Sequence, residues 1–140
     1  LQSYSRLIGI DVGTKRIGIA QTDLLKTFAT PVGTFPPKQV FFELKKLVNQ
    51  STIDAFIIGW PLTAKGELGK ATDRVNSFIG ELKKHFSNID IIKVDERYTS
   101  SQAVEVMIKS GVPKKKRQQK ERVDQIAAAL ILERYLEQNF

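Results

Sequence analysis

Three acids stand where carboxylates could do chemistry: Asp11, Glu96 and Asp124. Asp11 ends the apolar run Leu7–Ile10 and is followed by Gly13 and two bases, Lys15 and Arg16. Glu96 follows the run IDIIKV over Ile89–Val94, and Asp124 sits near the start of a segment whose apolar stripe is Val123, Ile126, Ala127, Leu130 and Ile131. A carboxylate at the end of a buried strand is costly unless a metal ion or a basic side chain pairs with it. Taken singly, each acid has an ordinary explanation. Asp11 reads as a turn residue beside glycine, Glu96 as a partner for Arg97 or a lysine, and Asp124 as a charge favoured by a helix N-terminal dipole. Taken together, at three strand or helix ends, they point to a site. Three converging carboxylates repel one another and do not stay ionised alone. A divalent ion resolves the conflict, and carboxylate oxygens suit Mg²⁺ or Mn²⁺. There is no cysteine and only one histidine, His85, which excludes thiolate and His-rich metal sites. Two ions roughly 3.5–4 Å apart would clamp the attacking water and the leaving oxygen of a phosphodiester. A fourth acid is not evident: Asp95 points away from Glu96 if the strand continues, and Glu121 lies one helical turn before Asp124.

The bases complete that chemistry. The chain carries a net charge of +7, and Lys114, Lys115, Lys116, Arg117, Lys120 and Arg122, against Glu121, supply a local +5 within nine residues. A charge run of this kind is usually a solvated loop, but so concentrated a patch also fits a polyanionic partner. Metal-binding acids next to phosphate-binding bases is the logic of a nuclease. Gly13, Thr14 and Lys15 in the first turn, Arg97 beside Glu96, and Lys114, Lys115, Lys116 and Arg117 are the candidates for holding substrate phosphates.

Something must bring these residues together. At 140 residues, 41% hydrophobic and 26% charged, the chain has the size and composition of one globular domain. The stretch RLIGIDVGTKRIGIAQTD over Arg6–Asp23 reads as strand, tight turn, strand, and the short connection makes the pair antiparallel. The first strand lacks polar alternation, so both its faces should be covered. A third strand is expected over Phe28–Phe35, at an edge because of Pro31. Pro36 and Pro37 should open a helix with Val40, Phe41, Leu44, Leu47 and Val48 on one side. Ile53–Gly59 is a buried strand reached by a crossover, parallel to the first. The loop Gly59–Gly69 lies where open α/β sheets bind ligands, and its Trp60 is either a packing residue or a base-stacking surface. Ala71, Val75, Phe78, Ile79, Leu82 and Phe86 trace another helix, on which His85 should be solvated. Strand five follows, then a helix carrying Ala103, Val104, Met107 and Ile108 and stopped at Gly111, the basic loop, and a last helix over Arg122–Leu136. The order predicts an α/β fold: a five-stranded mixed sheet, three strands antiparallel and then two parallel, with helices on both faces. No apolar run is long enough to span a membrane and no signal peptide opens the chain, so it reads as a soluble, cytoplasmic protein.

Four blocks, in order and spacing, resemble the YqgF or RuvX family of Holliday-junction-resolvase-like proteins. They are GIDVGTKRIGIA (Gly9–Ala20), IIGWPL (Ile57–Leu62), VDERYTS (Val94–Ser100) and VDQIAAALILERYL (Val123–Leu136). The resemblance covers nearly the whole chain. It implies a ribonuclease-H-like fold, a metal-dependent nuclease activity and a link to maturation of the 16S rRNA 5′ end. Carried over by position, it assigns the acids to Asp11, Glu96 and Asp124. The chain departs from the family pattern at Trp60, where an aliphatic residue is frequent, and in a basic loop without glycine after Gly111. The resemblance also admits branched DNA as a substrate, which would require two active sites and so a dimer. Two other classes compete with a nuclease. An actin-like ATPase or sugar kinase would place phosphate at Asp11, Gly13 and Thr14, but needs two such domains. A non-catalytic nucleic-acid binder would use the basic loop alone.

Overall fold

The structure is a computed structural model, and it describes residues 4–61, 69–96 and 120–139. Arg97, the expected helix around Ala103–Ile108, and Lys114, Lys115, Lys116 and Arg117 lie outside the described residues. Among those described, five strands and three helices follow one another in the order that the sequence pattern predicts. They are β1 (Arg6–Val12), β2 (Ile17–Thr22), β3 (Ala29–Phe35), α1 (Pro37–Gln50), β4 (Ile53–Trp60), α2 (Lys70–His85), β5 (Asp90–Asp95) and α3 (Lys120–Asn139).

The sheet runs β3-β2-β1-β4-β5. β1 pairs antiparallel with β2, with Asp11 opposite Gly18, and β2 pairs antiparallel with β3. β4 lies parallel to β1, and β5 parallel to β4. The α/β architecture expected from the sequence is therefore present, including the edge position of β3 with Pro31. Pro36 precedes the first residue of α1 in an extended conformation, and Pro37 sits in the first turn, where a missing N–H costs nothing.

Each face of the sheet carries its own core because side chains alternate along a strand. Ile8, Ile10 and Val12 of β1 and Phe56 and Ile58 of β4 pack with Val40 and Leu44 of α1 and Val75 and Leu82 of α2. Leu7 of β1 and Ala55 and Ile57 of β4 pack on the opposite face, against Ala128, Ile131 and Leu132 of α3. The first strand is covered on both faces, its Leu7, Ile8 and Ile10 being wholly buried.

The α3 face is lined with small residues, which lets the helix backbone approach the sheet closely. A Cβ added to Gly9 would stand 2.6 Å from Leu132 Cγ and 2.7 Å from the Ala128 carbonyl oxygen. At Gly18 it would meet the Asp124 main chain, 2.5 Å from its carbonyl carbon. Gly18 thus fixes where the first turns of α3 sit: above the strand pair that carries Asp11.

His85 is exposed at the end of α2, and its ring also stacks on Phe41 with centroids 4.4 Å apart. Trp60 is partly buried against the α1–α2 core, and Lys93 Nζ lies 3.9 Å from its ring centroid. That arrangement is the packing role, with a cation on the ring face.

Candidate active site

β1, β4 and β5 run parallel, so their carboxyl ends lie on one side of the sheet. Asp11 is the penultimate residue of β1, and Glu96 immediately follows β5. Strand alternation turns Asp11 to the α3 face, along with Leu7 and Gly9. Glu96 is held in place by its own N–H, which donates to the Trp60 carbonyl at 3.2 Å, extending the β4–β5 ladder by one bond.

Between β1 and β5 lies β4, and at the height of the site β4 presents Gly59. A Cβ there would collide with the Glu96 carboxyl group, 2.6 Å from Cδ, and would press on Ile131 Cδ1 at 2.7 Å. The Glu96 side chain lies in the space that a side chain on β4 would fill. It spans that strand and forms a hydrogen bond with the Asp11 carboxyl.

The electrostatics follow from that contact. Glu96 holds its proton far above the usual carboxylate range, its pKa pushed up to about 10. Burial is the largest cause, followed by the negative charge of Asp11 and the hydrogen bond to it. The positive charges of Arg134 and Arg74 act in the opposite direction. Two carboxyl groups therefore share a proton where a cation would bring both to the ionised form.

Asp124 stands on the same face of the sheet. It is only 6% exposed, and its Oδ2 lies 4.0 Å from Arg16 Nε. Arg16 closes the β1–β2 turn, its carbonyl accepting from the Gly13 N–H at 2.9 Å, while Thr14 and Lys15 stand exposed at the tip. The structure thus joins Asp11 to Glu96 and Asp124 to Arg16. Among the described residues, no group of three or more acidic, histidine or cysteine side chains is arranged to hold an ion. Asp95 shares its parity with Lys93, which reaches Asn76 of α2, on the sheet face away from α3.

Three cations around the site are absent from the sequence reading of it. Arg16 has a sequence signal, lying next to Lys15 in the turn. Arg134 falls within the block LILERYL and donates through Nη1 to the Asp95 carbonyl, tying α3 to the end of β5. Arg74 carries no sequence signal, since its role depends on how α2 is placed.

The family model described as RuvX, Holliday junction resolvase, matches residues 5–138. The chain belongs to the RuvX family. Relatives of similar length support the assignment. A Chlorobium phaeobacteroides protein named "Putative pre-16S rRNA nuclease" is 42% identical over 132 residues, covering 94% of this chain and 92% of its own. A protein of the same name from Salinibacter ruber is 39% identical, with 97% and 95% covered. In fold, this RuvX chain is similar to Thermus thermophilus RuvC solved in complex with a Holliday junction substrate. The TM-score is 0.57 and the identity 13%, with 97% of each chain covered.

Proposed function

We propose that this RuvX protein is a divalent-metal-dependent nuclease that hydrolyses phosphodiester bonds in the 5′ region of precursor 16S rRNA. The observation that carries the reading is the contact of Asp11 with Glu96 across Gly59, at the carboxyl end of three parallel strands. The names of relatives of the same length support the substrate.

The donor set fits a hard cation. Asp11 and Glu96 offer only oxygen, they are close enough to share a hydrogen bond, and burial makes the doubly ionised pair costly without a positive charge between them. These two residues would hold Mg²⁺ or Mn²⁺. When bound, such an ion supplies an activated water and neutralises charge on the phosphoryl oxygens.

The chain's own residues do the rest. Arg134 and Arg74 bring positive charge toward Glu96 and moderate the cost of ionising it. Arg134 also fixes the end of β5 to α3, so that Glu96 stays in register with Asp11. Thr14 and Lys15 are exposed at the tip of the turn that follows Asp11, within reach of a phosphate backbone approaching that end of the sheet. The basic segment Lys114–Arg117 precedes α3 in sequence and adds a cationic run suited to further phosphates.

The test is cleavage by the purified protein, with and without Mg²⁺ or Mn²⁺, of three substrates: precursor 16S rRNA 5′ ends, unstructured single-stranded RNA and four-way DNA junctions. Metal-dependent cleavage of the first, lost in Asp11→Asn, is expected. The family's description and the fold neighbour favour the junction as the second reading. Preferential junction cleavage would transfer the activity to DNA. No cleavage of any of the three would overturn the nuclease reading.

A further inference from the structure

The turn between β2 and β3 holds its apolar side chains outward. Leu25 is 67% exposed and Phe28 70%, with Leu24 and Tyr4 also exposed. Tyr4 stands beside the turn because the next N–H, that of Ser5, donates to the Leu24 carbonyl at 3.2 Å. Hydrogen bonds within the turn fix its shape. Asp23 Oδ1 accepts from the N–H groups of Thr27 and Phe28 at 2.7 and 2.8 Å, and the Lys26 N–H donates to the Asp23 carbonyl at 3.1 Å. Lys26 itself turns inward, its ammonium buried beside Asp54. The polar residue of the turn is thus inside and its apolar neighbours face water. An apolar patch held outward in this way marks an interaction surface, and a fixed turn spares a partner the cost of ordering it.

Next to Phe28 a cleft of about 270 Å³ opens between the turn and the last turns of α3, lined by Thr27, Phe28, Ala29, Glu133, Leu136 and Glu137. Glu133 and Glu137 are one helical turn apart, a spacing at which like charges oppose each other. Among the described residues no ion pair offsets them. Partial burial and the charge of Glu137 hold the Glu133 carboxyl above its ordinary range. On a chain of net charge +7 this is an acidic cleft with apolar walls. It repels phosphate and suits a cation carried on an apolar stem.

We propose that this end of the molecule docks a basic segment of another protein, its lysine or arginine against Glu133 and Glu137 and a neighbouring aliphatic side chain on Phe28 and Leu25. The cleft lies about 20 Å along α3 from Asp124, at roughly 1.5 Å per residue. A partner seated there leaves Asp11 and Glu96 open.

The experiment measures, by fluorescence anisotropy, the binding of three labelled peptides of equal length to the full chain: one of leucine and arginine, one of leucine and glutamate, one of serine and arginine. The first should bind, and the other two at least about fivefold more weakly. Phe28→Ser, and Glu133→Gln combined with Glu137→Gln, should each weaken the first by at least about fivefold, the loss that separates an energetic contact from a merely complementary one. Amide shifts in the NMR spectrum on binding should centre on residues 27–29 and 133–137. If Phe28→Ser does not fold, the double glutamine variant decides by the same criterion. No binding of the leucine–arginine peptide, equal binding of all three, or shifts centred elsewhere would overturn the proposal. So would two reassignments: loss of precursor RNA binding in both variants, which would make the surface part of the RNA track, or a dimer in sedimentation that Phe28→Ser dissociates, which would give it to a second copy of the chain.

Discussion

Glu96 reaches Asp11 only because the strand between them carries Gly59. The two acids belong to strands that are not neighbours, and the side chain of Glu96 lies over the backbone of β4. The smallest change that breaks this arrangement is a methyl group. Gly59→Ala should displace the Glu96 carboxyl and push Ile131 out of its seat, since the added Cβ has no room on either side. Overpacking of this kind costs about 1–3 kcal/mol. A lowered melting temperature with weakened Mn²⁺ binding is expected. Unchanged Mn²⁺ affinity would show that Glu96 does not need the gap.

Asp11→Asn keeps the size of the side chain and removes its charge. It also removes the negative charge that opposes ionisation of Glu96. Cleavage should collapse while the melting temperature of the metal-free protein holds or rises. Full activity in the folded variant would remove Asp11 from the chemistry.

The raised pKa of Glu96 makes the stability of the metal-free protein depend on pH. The unfolded chain releases this proton near 4.5, the folded protein near 10. Between those values the folded state binds more protons, so its advantage is complete below about 4.5 and declines as the pH rises, until it is lost near 10. Urea unfolding at several pH values should show that decline, and Glu96→Gln should flatten it. Because a cation displaces the same proton, Mn²⁺ affinity should increase with pH.

A second buried charge sits at the other end of the sheet. Lys26 Nζ lies 3.1 Å from Asp54 Oδ2 and donates to Ser5 Oγ at 2.7 Å; Ser5 Oγ in turn donates to Asp54 at 2.5 Å. Lys26 also adopts a left-handed backbone conformation, φ 57°. Asp54→Ala would leave the ammonium buried without its carboxylate, a change that costs about 3–5 kcal/mol. Chemical denaturation should report that loss, while Mn²⁺ affinity should be unaffected because the cluster lies far along β1 and β4 from the site.

The basic segment yields a prediction from charge alone. Replacing Lys114, Lys115, Lys116 and Arg117 by Gln should weaken RNA binding at low salt. It should also flatten the salt dependence, by about 0.7 in log–log slope for each phosphate that is no longer neutralised. Cleavage at saturating substrate should change less, because Asp11 and Glu96 are untouched. Identical salt slopes for the two proteins would limit the segment to a connector.

The sequence by itself determined the order of the elements, the two-faced burial of β1 and the parallel crossover to β4, because these follow from hydrophobic period and turn residues, which are local. It also marked Asp11 and Glu96 as strand-end acids. It did not determine which acids meet. That pairing depends on β4 lying between β1 and β5 and on a missing side chain at Gly59, neither of which is local to Asp11 or Glu96. The inward turn of Arg16 toward Asp124 was likewise decided by tertiary structure. An arginine in a glycine-containing turn reads as solvated until a helix more than a hundred residues later is seated on Gly18. Arg74 and Arg134 became part of the site for the same reason: charge acts through space, and only the packing of α2 and α3 sets the distance across which it acts.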